Sequence, residues 1–128
     1  MHKYYAATED EIKQEKENFF LANLHVKNIL KNHGEVVLNE KGLNLRGYKF
    51  IKYSEIKSYD ILNDKNISSW KFINQYRFPF VKSSKPIIIT LKDDSRIYMY
   101  IDRSFTTGLS YNGKFIKELD FYMKKDAK

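Results

Sequence analysis

Apolar positions crowd most densely over Pro86–Asp102. Ile87, Ile88, Ile89, Thr90 and Leu91 are nearly all apolar and mostly β-branched. After the polar cluster Lys92-Asp93-Asp94-Ser95 come Ile97, Tyr98, Met99, Tyr100 and Ile101. Two apolar runs around four turn-forming residues predict a β-hairpin. Upstream, the pattern is a true alternation. Glu35–Asn39 and Leu43–Gly47 read as strands, with Leu43 and Leu45 alternating against Asn44 and Arg46 and with Asn39–Gly42 as the turn. Lys49–Tyr53 predicts a third strand, Ser54-Glu55-Ile56 a turn, and Lys57–Leu62 a fourth, so 34–62 is a meander of short strands. Residues 63–69 are a polar loop. Trp70–Ile73 reads as a strand, after which Pro79 bars a central sheet position because it lacks a ladder donor.

Helical spacing marks both ends of the chain. Residues 1–7 show no pattern and are expected to be a loose tail. Thr8-Glu9-Asp10-Glu11 is a capping box, a hydroxyl at the N-cap with a carboxylate three residues on. Ile12, Phe19, Phe20, Leu24, Ile29 and Leu30 then recur at steps compatible with one helical face, which predicts a helix over Glu9–Asn32, ended by Gly34. A strand over Asn23–Leu30 is the competing reading. Beyond a polar loop at 103–113, Phe115, Ile116, Leu119, Tyr122 and Met123 predict a C-terminal helix over 113–125, and Lys124, Lys125 and Lys128 suit the negative end of its dipole.

The length of 128 residues fits one domain with a core that needs no metal or disulfide. The absence of cysteine excludes a disulfide framework, a thiolate metal site and a cysteine nucleophile. The first residues lack an apolar signal core and no apolar run is long enough to span a membrane, so a soluble cytoplasmic protein is expected. Richness in Lys, Asn, Ile and Tyr points to an AT-rich genome, bacterial or phage. The net charge of +7 admits acidic partners, although no block of like charge appears and a solvated Lys-rich surface explains it equally.

Candidate chemistry is sparse. The five glycines are scattered and form no phosphate-binding loop. His2, His25 and His33 lack metal-ligand spacing and read as surface or cap residues. Asp93-Asp94 reads as turn chemistry, and Ser104 in Asp102-Arg103-Ser104 as a loop residue, because no positioned histidine base accompanies it. No catalytic, cofactor or metal site is expected, and no small-molecule substrate. Two surfaces carry the remaining signal. Trp70, Lys71, Tyr76, Arg77, Lys82 and Lys85 interleave aromatics with cations, as a protein hot spot, a single-stranded nucleic acid site or an anionic membrane face would. Plain strand alternation, aromatics inward and Lys outward, gives the same string. The helix face Phe19, Phe20 and Leu24 exceeds what a small sheet covers and suits self-association.

About seven short strands followed by one helix resembles the pleckstrin-homology-like superfold. Val37-Leu-Asn-Glu-Lys-Gly-Leu-Asn-Leu45 and Ile51-Lys-Tyr-Ser-Glu-Ile56 are similar to the hairpin and turn of its bacterial members, with Ile87–Tyr100 as the final hairpin. The resemblance implies an α+β fold: a curved antiparallel sheet in a sandwich or partial barrel over residues 34–128 with its C-terminal helix, and residues 1–33 added as a tail and helix. It also implies a non-enzymatic module that engages a protein partner or self-associates. Nucleic acid binding is the alternative, and peripheral membrane binding the second. Family members that bind phosphoinositides carry a Lys, a spacer and Arg-x-Arg on the first hairpin. Lys41 and Arg46 stand here with Leu45 between, so that activity is not carried over.

Overall fold

The computed structural model describes residues 2–18, 30–62, 85–103 and 109–127, and the side chains of all of these except 15–18. The elements are β1 (His2–Thr8), α1 (Glu9–Asn18), β2 (Asn32–Asn39), β3 (Gly42–Leu45), β4 (Lys49–Ile51), a 3-10 turn (Tyr53–Glu55), β5 (Ile56–Ile61), β6 (Ile87–Leu91), β7 (Arg96–Ile101) and α2 (Asn112–Asp126). The strands form one antiparallel sheet in the order β4-β3-β2-β1-β7-β6-β5, curled into a half-barrel. The α2 helix touches β2 from one wing, β5 from the other and β7 near the centre, so it lies inside the curl.

The expected loose tail is corrected. His2–Thr8 is a central strand, paired to β2 on one side and β7 on the other. The pattern gave no warning because both faces of β1 are covered. Tyr4 and Ala6 face the core under α2, with Val36, Leu43, Leu45, Phe115 and Leu119. Ala7 faces the opposite side, where Ile12 of α1, Leu30, Ile88, Tyr98 and Tyr100 make a second core. A strand buried on both faces does not alternate. The same holds for β7, where every residue from Ile97 to Ile101 is buried.

The expected helix over Glu9–Asn32 is seen as far as Asn18. Residues 19–29, with the competing strand reading, lie outside the described residues, and Asn32 already belongs to β2. The hairpin stands as expected, with Asp94 at φ 69° and Asp93 accepting hydrogen bonds from the backbone and hydroxyl of Ser95. The strand expected over Lys57–Leu62 holds a β-bulge between Ile56 and Ser58. Ile56 and Ile61, five residues apart, would otherwise point to opposite faces. The extra residue lets both enter the core under α2.

The capping box forms. The Glu11 N–H donates to Thr8 Oγ1 at 3.2 Å, and the Thr8 N–H donates to Glu11 Oε1 at 3.1 Å. Glu11 does more than cap. Asn32 Nδ2 donates to its Oε2 at 3.0 Å, and the Tyr48 hydroxyl donates to its Oε1. One carboxylate thus ties α1 to β2 and to the β3–β4 turn. Partial burial opposes its charge, but these hydrogen bonds outweigh burial and hold its pKa at about 2, below the ordinary 4.5. A depressed carboxyl stabilises the fold above its unfolded-state pKa, and that stability is lost as pH falls from about 4.5 toward 2. After discounting for solvent screening it contributes about 1–2 kcal/mol. Glu11→Gln is therefore expected to lower urea stability by that amount at pH 7, and the gap to wild type should close by pH 2. An unchanged gap across this range would assign the loss to packing.

Asn112 locks the entry to α2. Its side chain is fully buried. Its Oδ1 accepts from the Ile101 N–H at 2.7 Å, and its Nδ2 donates to the Lys85 carbonyl at 2.8 Å. One amide side chain satisfies both a donor and an acceptor at the point where β7, the approach to β6 and α2 converge.

A candidate interaction groove between β2 and α2

The curl of the sheet is wider than one helix. The Phe115 and Leu119 face of α2 fills the floor, while the β2 side stays open as a groove of about 590 Å³. Its wall on the strand side is Val36, Val37 and Leu38, and its helix side presents Phe115, Phe121 and Tyr122. His2, Lys117 and Glu118 complete the lining. Phe121 is 61% exposed, the most exposed large apolar side chain among the described residues. It lies edge-on to Tyr122, with ring centroids 5.3 Å apart, and Tyr122 stacks on buried Tyr53 at 6.0 Å. The aromatic at the rim is thereby backed by rings anchored in the core.

His2 is held firmly at the groove wall. Its ring stacks on Tyr111 with centroids 4.3 Å apart, and Nδ1 pairs with Asp102 Oδ2. Asp102, at φ 50°, also accepts the Lys3 N–H at 2.8 Å. On the other flank of α2 the Tyr59 hydroxyl donates to Asp120 at 2.6 Å, and burial together with that carboxylate pushes the phenol up to about 12. This bond fixes the rotation of α2 against β5. The lining of the groove is mainly apolar and aromatic, which suits it to receiving a side chain from another molecule.

Charge is distributed rather than focused. Arg46 pairs with Glu35 at 2.9 Å, Lys57 with Asp94 at 2.8 Å, Lys124 with Asp120 at 3.0 Å and Lys125 with Glu40 at 2.7 Å. The excess of positive charge sits largely on Lys27, Lys65, Lys71, Arg77, Lys82 and Lys128, all outside the described residues. Among the described residues no cluster of His, Asp or Glu could hold a metal ion, and no helix is long and apolar enough to cross a membrane.

Of the aromatic-basic surface expected from sequence, Trp70, Lys71, Tyr76, Arg77 and Lys82 lie outside the described residues, as do Phe19, Phe20 and Leu24 of the expected self-association face. Lys85 is described. It is half-buried, and its carbonyl is the acceptor for Asn112. The groove itself was not read from sequence. Its one signal is Phe121, the large apolar residue of the C-terminal segment that falls off the stripe of Phe115, Ile116, Leu119, Tyr122 and Met123. Comparison of the chain with protein-family models, with curated proteins and with solved structures finds no match in any of the three.

Proposed function

We propose that this chain is a non-enzymatic interaction module of the pleckstrin-homology-like kind, and that it binds a segment of a protein partner in the groove between β2 and α2. The strand order, two meanders meeting at β1 and β7 with the last helix inside the curl, supports that fold relationship. The observation that carries the binding reading is Phe121. A phenyl ring left 61% exposed beside a mainly apolar groove, on a helix whose Phe115 is buried and whose Tyr122 is partly buried, is apolar contact area that its edge-on contact with Tyr122 leaves largely uncovered. Next to it on the helix, Lys124 and Lys125 are each paired with a carboxylate, Asp120 and Glu40, which favours a protein over nucleic acid at this groove.

Phe121→Asp tests this. The side chain is outside the core, so thermal unfolding should stay within a degree or so of wild type, whereas partner affinity should fall about thirtyfold, the effect of losing a hot-spot aromatic. Tagged wild-type and variant chains are used in parallel for capture from nuclease-treated extract. Proteins held by the wild type and lost by the variant support the groove. Identical captured sets overturn it. Sedimentation of the wild type alone identifies the remaining case: a dimer that Phe121→Asp dissociates would make a second copy the occupant.

A further inference from the structure

The groove is one end of a longer furrow. Tyr122, on its wall, also lines a smaller depression with Glu40, Lys125 and Asp126. Asp126 in turn lines a third, of about 390 Å³, with Lys41, Phe50, Lys52, Tyr53 and Ser54. Shared Tyr122 and Asp126 link the three, which together take in α2 residues from Phe115 to Asp126. From Phe121 to Asp126, at 1.5 Å per helical residue, is roughly 8 Å, the span of about two to three residues of extended chain.

The two ends differ in chemistry. The Phe121 end is mainly apolar, with Lys117 and Glu118 of opposite charge in its lining. The far end has Phe50, 48% exposed, between Lys41 and Lys52, and neither ammonium group forms an ion pair among the described residues. This sets them apart from Arg46, Lys57, Lys124 and Lys125, each of which has a carboxylate partner. Asp126 stands at the same end and leaves it net positive. Between the ends the Lys125–Glu40 pair stands at the surface, both side chains more than half exposed, an arrangement weak enough to open for a bound chain.

Resting on the reading of the groove as a protein-binding site, we infer that the occupant is an extended peptide segment with a bulky apolar residue seated beside Phe121 and acidic residues about two to three positions away, meeting Lys41 and Lys52. The furrow supplies polarity as well as contact. An apolar anchor fixes one end, and charge complementarity at the other selects the direction in which the segment lies.

A displayed library of random peptides, each about a dozen residues long, tests this on the full chain. Wild type is expected to enrich sequences with an aromatic or large aliphatic residue and Asp or Glu about two to three positions from it. The double variant Lys41→Glu/Lys52→Glu changes only exposed side chains. It should bind those acidic peptides at least tenfold more weakly and enrich Lys or Arg in place of Asp or Glu. Enriched peptides that keep the apolar anchor but show no charge preference would overturn the inference and leave the groove standing. Peptides that bind wild type and Phe121→Asp equally would overturn both. Sedimentation with phosphatidylserine vesicles that is lost in the double variant and not displaced by the selected peptides would assign the basic end to a membrane, and overturns the inference as well.

Discussion

Asn112→Asp is expected to lower the stability of the fold by about 4 kcal/mol at pH 7, among the larger effects a single substitution produces. The shape of the side chain is kept, but the donor to the Lys85 carbonyl becomes an acceptor, and a charge enters a fully buried site. In urea this should move the unfolding midpoint down by roughly 2 M. The pH dependence identifies the cause. Burial and the facing carbonyl raise the pKa of the introduced acid above its unfolded value, so the variant regains stability as pH falls, when a protonated acid can again donate to Lys85 and accept from Ile101. Asn112→Leu loses both hydrogen bonds and leaves two backbone groups unsatisfied, at a cost that should not vary with pH. If Asn112→Asp were equally destabilised at pH 4 and pH 7, buried charge would not be the reason.

Gly42→Ala is the second large effect, about 3 kcal/mol. A Cβ at this position would lie 2.5 Å from the Ile51 carbonyl oxygen and 3.0 Å from the Phe50 ring. The ring can swing aside. The carbonyl belongs to β4 and cannot move without parting β3 from β4, where Leu43 pairs with Ile51. The loss should therefore be local as well as large. Hydrogen exchange in β4 should accelerate before the central strands are affected. Gly113→Ala is the matched control. A Cβ there meets nothing within 4 Å, and the residue sits at the start of α2, so the change should be neutral or stabilise by up to about 1 kcal/mol. Equal behaviour of the two variants would show that loss of chain freedom, not the close approach of β4, governs both.

The reading of the sequence succeeded where alternation, or a dense apolar run around a polar turn as in β6 and β7, marked an element, and failed where neither did. Leu43 and Leu45 alternate with Asn44 and Arg46 because β3 has a core side and an open side, and the Leu43–Gly47 strand was legible to within two residues. Tyr4-Tyr5-Ala6-Ala7 carries no alternation because both sides of β1 are covered, and alanine, a weak strand former, is there for its small size under α1 and α2. The bulge in β5 is likewise silent, since Ile56 and Ile61 share a face only through an irregularity that no period describes. Thr8 and Glu11 announced the cap through a local rule. The further bonds of Glu11 to Asn32 and Tyr48 join residues that only the fold brings together. The groove has the same origin: Val37 and Phe121 are 84 positions apart in the chain, and neither alone marks a site.

The seam between β1 and β7 also bears on how the chain folds. Each wing can assemble from near neighbours: β2 to β4 across short turns, and β6 with β7 across Lys92–Ser95. The register of Tyr4 with Ile101 joins residues 97 apart. Closing that loop costs chain entropy before any contact in the seam repays it, so seam formation should be the slow step that sets the refolding rate. During synthesis β1 emerges first and waits for its second partner until Ile101 has been made. Its exposed edge is the part of the nascent chain most open to pairing with the wrong strand.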